Sequence, residues 1–337
     1  MKIAVLAGGY SHERDVSITS GCKIANTLCS LGHSVALADV YSDIDTAKIQ
    51  DMFSTRGGYS YTIPSAEPDL AALRAERGMG ERLIGHGITA LCAAADITFL
   101  ALHGGMGEDG RIQAILECNG IKYTGSDYGA CYLAMNKSIA KTLFSAAGVP
   151  VPRGFIYRGE NTEDISFPCV VKPCSLGSSV GVSIVHTKEE LISALGKVSS
   201  YEGDTLIEDF ISGREFSCGV LDGKALPAIE IKPRSGFYDY MGKYQAGMTE
   251  EICPADITKE QEARIAALSE AAYRALGLSV YGRFDFILDE KSKDFICLEA
   301  NTLPGMTPAS LIPQEAAAAG LSYSELVMKI IDLSLKK

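Results

Sequence analysis

The chain has 337 residues, and its composition of 47% hydrophobic and 22% charged residues is that of a folded globular protein. Because one hydrophobic core rarely serves this length, two or three domains are expected. Its 42 acidic residues outnumber its 31 basic ones, which gives a net charge of -11 and argues against nucleic acid as a partner.

The cysteines and the apolar stretches indicate a cytoplasmic protein. None of the ten cysteines forms a C-x-x-C pair, so we expect reduced and mostly buried thiols rather than a disulfide framework. The longest apolar stretch, 90–102, is interrupted by Asp96 and is shorter than a membrane span. Residues 1–7 lead directly into a glycine turn, without the cleavage pattern of a signal peptide. We therefore expect no membrane contact.

The first part of the chain predicts a doubly wound parallel layer. Apolar runs at 2–6 and 34–39 are typical of buried strands, and residues 15–31 between them have helical periodicity. A strand, a glycine turn, a helix and a second strand in this order imply parallel pairing. Residues 41–87 are polar and glycine-rich, and there we predict loops with a helix near 69–76.

The rest of the chain predicts a mixed α+β arrangement. A third strand at 97–102 ends in the glycine-rich segment 103–110, where we place the first domain boundary. The following elements are predicted beyond it: helices at 111–119 and 127–147, antiparallel strands at 169–172 and 182–185, a helix at 188–197, a strand at 205–210, short strands up to 233, an irregular segment at 234–254, a helix at 259–276 and two final strands. The fold class is therefore α/β (α+β).

Polar residues cluster on the two final strands. Arg283 and Asp285 alternate on one strand, and Glu299 and Asn301 alternate on the next, so each pair shares one face. An all-oxygen set suits magnesium ions that bridge nucleotide phosphates. The alternative is a cross-strand charge pair on a solvated face. The otherwise apolar strands favour a cleft.

Other residues suit a bound nucleotide. The glycine loop 172–181 joins two strands, so it is not a Walker A loop, yet its backbone N–H groups and Lys172 can approach phosphate oxygens. Glu208 suits the adenine amino group, and Glu215 suits the ribose hydroxyls. The glycine loop could instead be an ordinary hairpin, and Glu208 and Glu215 could be surface acids. Lys137, on a predicted helix, could likewise be a solvated lysine.

These motifs, in this order along the chain, resemble those of a known superfamily. A K-P-x-x-x-G-S-S-x-G loop, an acidic hinge at 208–215 and the R-x-D and E-x-N pairs together resemble the ATP-grasp superfamily. Within it, the chain resembles the D-alanine:D-alanine ligase family from end to end. The diagnostic segments are 12–17, 103–110, 135–137, 237–240 with Lys243-Tyr244, and 301–307 with Ser310-Leu311.

The resemblance implies a three-domain ATP-grasp architecture, with ATP between two antiparallel α+β domains. The N-terminal substrate domain would span 1–106, the central domain 107–210, and the C-terminal catalytic domain 211–337, with a lid loop at 234–254. It also implies an ATP-dependent ligase, active as a homodimer, that joins two D-alanines through a D-alanyl phosphate for peptidoglycan synthesis.

The resemblance further assigns site residues. The ATP-binding residues would be Lys137, Lys172, Ser179, Glu208, Ile211, Glu215, Lys243 and Leu298. Two Mg²⁺ ions, for which Mn²⁺ can substitute, would be bound by Asp285, Glu299 and Asn301. The catalytic residues would be Glu13, Ser178, Tyr244, Arg283, Gly305 and Ser310. The substrate would contact Glu13, Val16, His103, Tyr238, Arg283, Gly305, Ser310 and Leu311.

Several of these roles have a stated chemistry. Glu13 would pair with the ammonium of the first D-alanine, in a triad with Ser178 and Tyr244. Arg283 and the Gly305 N–H would stabilise the tetrahedral oxyanion, and Ser310 would bind the carboxylate of the second D-alanine. His103 would lie near the second substrate, or alternatively be a structural histidine.

One departure and two alternative functions bear on specificity. Met241-Gly242 stands where the family usually has glutamate and alanine, so lid closure here is not fixed by the resemblance. A D-alanine:D-serine ligase is an alternative, whereas Tyr244 argues against a D-lactate ligase. A non-catalytic nucleotide-binding regulator is the other alternative, and the intact metal and catalytic residues argue against it.

Overall fold

The computed structural model describes residues 1–64, 67–159, 162, 165–177, 180–201, 203–233 and 249–337. Five predicted site residues lie outside the described residues: Ser178, Ser179, Tyr238, Lys243 and Tyr244. The Met241-Gly242 departure and most of the predicted lid also lie outside them. Within the described part, the structure is a mixed α/β fold built on one parallel and two antiparallel sheets.

The N-terminal layer is the predicted parallel sheet. Its strands are β1 (Lys2–Ala7), β2 (Ser34–Asp39) and β3 (Ile97–Leu100), in the order β2-β1-β3. Helix α1 (Arg14–Ser30) forms the crossover between the first two strands. The side chains of β1 from Ile3 onward are buried, because both faces of a parallel sheet are covered.

Short elements lie between β2 and β3 and directly after β3. They are a 3-10 turn at Thr46–Lys48, α2 (Ile49–Met52), α3 (Leu70–Arg77), α4 (Ile88–Ala93), a 3-10 turn at Gly105–Gly107 and α5 (Arg111–Cys118). Helix α3 begins one residue later than predicted, because the Asp69 side chain accepts the Ala72 N–H and caps it.

The prediction of one helix over 127–147 is wrong. The structure has two helices, α6 (Tyr128–Met135) and α7 (Lys137–Ala146). Asn136 between them is extended, with ψ of 101°, and its side chain accepts the N–H groups of Ser138 and Ile139. This cap starts a second helix at Lys137, whose N–H donates to Cys174 O in the glycine loop at 2.9 Å.

The four-stranded antiparallel sheet carries the glycine loop. Its strands are β4 (Gly154–Tyr157), β5 (Cys169–Pro173), β6 (Ser183–Val185) and β7 (Thr205–Asp209), in the order β4-β7-β5-β6. Helix α8 (Lys188–Val198) packs on it, and Leu191 shares a core with Val171 and Ile207. The glycine loop joins β5 to β6, as predicted.

The six-stranded sheet carries the predicted acidic cluster. Its strands are β8 (Gly213–Leu221), β9 (Lys224–Ala225), β10 (Ile229–Pro233), β11 (Thr249–Ile252), β12 (Tyr281–Asp289) and β13 (Phe295–Asn301). The order is β11-β10-β8-β12-β13, with β9 paired to β8. Helix α9 (Lys259–Ala275) begins with a capping box formed by Thr258 and Gln261. Its core is shared with α6 and α7 through Ala134 and Phe144.

The last two helices connect the C-terminal part to the N-terminal layer. They are α10 (Leu311–Ala318) and α11 (Tyr323–Leu335). Val327 and Ile331 of α11 lie in the same core as Ile3 and Val5 of β1. No helix among the described residues is long and apolar enough to cross a membrane. The domain boundaries at 106 and 210 stay a prediction.

Candidate active site

A cavity of about 820 Å³ lies between the two antiparallel sheets. Lys172 and Glu208 line it from the four-stranded sheet, and Asp285 and Glu299 line it from the six-stranded sheet. All the predicted ATP residues that the structure describes line this cavity: Lys137, Lys172, Glu208, Ile211, Glu215 and Leu298. The apolar side chains of Val170, Val182, Ile184 and Ile287 complete its wall. A cavity with apolar and charged walls suits a base and a polyphosphate.

A buried ionic cluster stands in this cavity. Lys172 Nζ lies 2.5 Å from Glu208 Oε1, and Lys141 Nζ pairs with the other carboxylate oxygen. Burial opposes the charge of Glu208, but the two lysines outweigh it and lower the Glu208 pKa. Burial and the neighbouring charge of Lys172 lower the pKa of Lys141 to about 8. Of the two lysines around this carboxylate, Lys172 lines the cavity and can approach a phosphate group as a point charge.

Lys137 connects the first turn of α7 to both walls of the cavity. Its Nζ donates to Leu176 O in the glycine loop at 2.6 Å and lies 3.2 Å from Glu299 Oε2. It is 7% exposed, so it is a buried lysine and not the solvated one that was the alternative. Lys137 therefore ties the glycine loop to the strand that bears the predicted metal ligands.

Asp285 is the centre of the predicted acidic cluster. Arg283 donates to both of its oxygens, from Nε to Oδ1 and from Nη2 to Oδ2, each at 2.9 Å. Ser217 Oγ donates to Oδ1 and Asn301 Nδ2 donates to Oδ2, each at 3.0 Å. Asp285 pairs in register with Glu299 across β12 and β13, as strand alternation predicted. Asp285 is buried, so the cluster is not a solvated surface pair.

The donor set fits a nucleotide-bound magnesium better than a structural metal. Within the described ranges, no group of three His, Cys, Asp or Glu side chains is placed to hold a metal ion. Two carboxylates and one amide, Asp285, Glu299 and Asn301, supply only part of an octahedral shell. Magnesium usually takes one or two protein carboxylates and fills its remaining positions with phosphate oxygens and water.

Glu13 lies between two glycine segments that approach it closely. A Cβ atom on Gly104 would lie 2.7 Å from Glu13 Oε2, and one on Gly177 would lie 3.1 Å from the same oxygen. The first of these segments follows β3, and the second is the glycine loop. Glu13 itself precedes α1. The predicted ammonium ligand is thus placed beside the glycine loop.

Gly305 and Ser310 are close neighbours. A Cβ atom on Gly305 would lie 3.0 Å from Ser310 Oγ, so a larger residue at 305 would require the Ser310 hydroxyl to shift. The Ser310 hydroxyl accepts the Thr307 N–H at 3.0 Å and makes no capping bond to α10. Helix α10 begins at Leu311, so Ser310 is its N-cap residue.

Three predicted substrate residues point mainly into the protein. Val16 is buried in α1, and Leu311 is buried against Ile229 of β10. His103 is buried, and both of its ring nitrogens have protein partners, which favours the structural alternative for this histidine. A substrate contact by Leu311 would therefore use its backbone N–H at the start of α10.

Sequence reasoning missed several polar residues around the site. Lys141 follows Lys137 by four positions on one helix, a spacing that places both on the same face. Ser217 lies two positions after Glu215 on β8, a spacing that places both side chains on the same face of the strand. Glu108 lay within the diagnostic segment 103–110 without a stated role. Burial raises its pKa to about 8, and the neighbouring Glu13 adds to this effect.

Comparisons with known proteins point to a single family. The family model described as D-ala D-ala ligase N-terminus matches residues 2–126, and that described as D-ala D-ala ligase C-terminus matches residues 157–332. Among curated proteins, the D-alanine–D-alanine ligase of Lacticaseibacillus casei is 42% identical over 347 residues, covering 100% of this chain and 96% of its own. That of Geobacter sulfurreducens is 40% identical over 336 residues, covering 98% and 93%.

Solved structures show the same likeness. The D-alanine–D-alanine ligase from Bacillus anthracis, complexed with ATP, is 31% identical with a TM-score of 0.75, covering 100% of this chain and 98% of that one. The VanG D-Ala:D-Ser ligase from Enterococcus faecalis is 28% identical with a TM-score of 0.75, covering 99% of each chain.

Proposed function

Since this chain belongs to the D-alanine–D-alanine ligase family, we propose that it joins two D-alanine molecules with consumption of ATP, to give D-alanyl-D-alanine for peptidoglycan synthesis. One observation carries the proposal: the described ATP residues and the Asp285 and Glu299 carboxylates line a single cavity. Its charged end would bring phosphate groups close to Arg283.

The proposed reaction has two steps. The γ-phosphoryl group passes from ATP to a carboxylate oxygen of the first D-alanine, giving an acyl phosphate and ADP. The amine of the second D-alanine then attacks the acyl carbon, and phosphate leaves. Positioning and charge stabilisation carry most of the catalysis in phosphoryl transfer, and Lys137, Lys172 and Arg283 are buried or half-buried cations suited to it.

Residues outside the nucleotide cavity would place the two amino acids. Glu13 would pair with the ammonium of the first D-alanine, close to the glycine loop. Arg283 and the Gly305 N–H would face the tetrahedral oxyanion. The Ser310 hydroxyl and the first N–H groups of α10 would bind the carboxylate of the second D-alanine. Asp285, Glu299 and Asn301 would hold Mg²⁺, which neutralises phosphate charge when bound.

We further propose a homodimer that works in the cytoplasm, with domains at 1–106, 107–210 and 211–337. The ten cysteines are all free, and all but Cys118 and Cys253 are buried, which is compatible with a reducing compartment. Each of the three sheets lies within one of these domains.

The function is tested by phosphate release. Purified protein is incubated with Mg²⁺ and ATP in separate reactions that contain D-alanine, L-alanine, D-serine plus D-alanine, or no amino acid. Phosphate release is measured in each, and the products are identified by mass. We expect phosphate release with D-alanine, formation of D-alanyl-D-alanine, and no release with L-alanine.

The other outcomes are distinct. Equal phosphate release without any amino acid would overturn the ligase proposal in favour of an ATPase. A predominance of D-alanyl-D-serine at equal acceptor concentrations would support the second candidate, which the likeness to the D-Ala:D-Ser ligase keeps in consideration. ATP binding without any turnover would support the regulatory alternative.

A further inference from the structure

The segment 302–306, which carries Gly305, is bound by three side chains from the N-terminal part of the chain. His103 Nδ1 bonds Leu303 O at 2.8 Å, and Glu108 Oε1 accepts the Leu303 N–H at 3.2 Å. Ser20 Oγ accepts the Met306 N–H at 3.4 Å. Both backbone polar groups of Leu303 are therefore held by side chains more than 190 positions away in sequence.

The three side chains also bind one another or their own loop. Ser20 Oγ lies 3.0 Å from His103 Nε2, and Glu108 Oε2 accepts the Gly104 N–H at 2.8 Å. Ser20 is fully buried, and His103 and Glu108 are 4% and 9% exposed. Buried polar groups that are fully paired make a network rigid.

The partners fix the proton positions in this network. A carbonyl oxygen can only accept, so His103 Nδ1 carries the proton and donates to Leu303 O. Burial lowers the pKa of His103, which favours the neutral imidazole. In the neutral ring Nε2 accepts the Ser20 hydroxyl, and Ser20 Oγ accepts the Met306 N–H.

The network holds the chain on both sides of Gly305. Leu303 lies two residues before it and Met306 lies one residue after it, so the two bound peptide units limit how the Gly305 N–H can turn. An oxyanion donor acts only if it is aimed at the position that the developing charge will occupy. An error of about 1 Å in such a group can lower the rate about 100-fold.

We propose that Ser20, His103 and Glu108 are positioning residues for the ligation step, which orient the Gly305 N–H by clamping segment 302–306. The inference rests on the proposed function. It gives Glu108 and Ser20 roles in the reaction, and it makes His103 act through the backbone of Leu303 rather than through contact with substrate.

The test compares Glu108→Ala, Glu108→Gln and Ser20→Ala with the unaltered protein. Glutamine keeps one carbonyl acceptor for the two N–H groups, alanine keeps none, and Ser20→Ala removes only the bond to Met306 and its link to His103. Glu117→Gln is the matched control, because it makes the same change on α5 at a carboxylate bonded to the Tyr123 hydroxyl. The kcat is normalised to the number of nucleotide sites, and the KM and Kd for ATP are measured separately.

We expect kcat to fall about 100-fold in Glu108→Ala and about tenfold in Glu108→Gln and Ser20→Ala, with the ATP Kd unchanged within about twofold. Hydrogen exchange of the Leu303 amide should accelerate in both Glu108 variants. Glu117→Gln should match the unaltered protein in every measurement.

Two results would overturn the proposal. One is a normal kcat in folded Ser20→Ala and Glu108→Gln, and the other is a fall in ATP affinity that equals the fall in kcat. If the Glu108 variants do not fold, Ser20→Ala alone decides, because it removes only one hydroxyl. Failure of the proposed function is recognised separately, because the unaltered protein would then form no dipeptide.

Discussion

At the scale of single residues, the largest loss of activity is expected from substitutions of Asp285 and Glu299. Asp285→Asn and Glu299→Gln each remove a negative charge from the predicted magnesium ligands while keeping the side-chain shape. We expect each variant to fold and to lose several orders of magnitude in dipeptide formation, since charge placed at transferring phosphates dominates such reactions. Dipeptide formation is measured over a range of Mg²⁺ concentrations.

The chain offers a closely matched control for this pair of changes. Asp294 accepts from Arg264 Nε and Nη2 at 2.9 and 2.7 Å, which is the same two-point geometry as Asp285 with Arg283, but at the protein surface. Asp294→Asn should leave activity normal. Near-normal turnover of Asp285→Asn at ordinary Mg²⁺ would mean that the acidic cluster is structural.

Glu315 leads to a prediction about pH and stability. Burial raises its pKa from 4.5 to about 8, and its Oε2 accepts the Gly219 N–H at 2.7 Å. Between pH 4.5 and 8 the folded protein therefore keeps a proton that the unfolded chain releases. The unfolding free energy should fall as pH rises through this window, by up to ~1.4 kcal/mol per pH unit for each such group.

Glu315→Gln removes this titration while keeping a neutral side chain of similar shape. Urea unfolding at pH 5, 6, 7 and 8 should give a shallower loss of stability with pH than in the unaltered protein. Glu262→Gln, at an exposed position of α9, should keep the full slope. Parallel slopes for the unaltered protein and Glu315→Gln would contradict the assignment.

The site residues that the sequence could predict are those whose pattern is local. Alternation on two strands was enough to bring Asp285 and Glu299 together, because their register follows from one hairpin. Lys141 was not predictable in the same way. Lys141 lies on α7, and its buried charge is paired with Glu208 on β7 of the four-stranded sheet. The sequence pattern of one helix gives no information about that contact.

At the scale of elements, the start of α7 links helix capping to the nucleotide site. Asn136 caps the helix, and Lys137 at its first position reaches the glycine loop and Glu299. Asn136→Ala should lower the unfolding free energy by about 1 kcal/mol, the usual cost of losing such a cap. It should also raise the KM for ATP severalfold, because the lysine loses its fixed position.

A second cap separates these two effects. Thr258 caps α9 by accepting the Gln261 N–H, and no predicted site residue lies on that helix. Thr258→Ala should lower stability by a similar amount without changing the KM for ATP. Equal KM values for ATP in both variants would show that Lys137 does not depend on the cap.

The same capping residue explains where element prediction failed. The strand at Ser34–Asp39 was predicted to the residue, because an apolar run between two turns has only one register. Hydrophobic periodicity continues across Asn136 without a break, so the pattern predicted one helix. The break comes from a side-chain bond to Ser138 and Ile139 and from the bond between Lys137 N and Cys174 O, which is a tertiary contact.

At the scale of the whole molecule, the nucleotide cavity connects two sheets that have separate cores. Val171 and Ile207 belong to the core of the four-stranded sheet, whereas Phe284 and Phe286 belong to that of the six-stranded sheet. The walls of the cavity come from both. A bound nucleotide should therefore stabilise the two sheets together, and not one of them alone.

Hydrogen exchange with a non-hydrolysable ATP analogue tests this coupling. At an analogue concentration of 100 times Kd, binding stabilises the form in which both sheets line the cavity by ~2.7 kcal/mol. Amides that exchange only when the two sheets separate should therefore exchange about 100-fold more slowly. We expect this slowing in β5 and β7 and equally in β8 and β12. Helix α3, which has no buried residue, exchanges by local opening and should not change. Slowing confined to one sheet would mean that the nucleotide binds one wall only, and that the other wall closes through the amino-acid substrates.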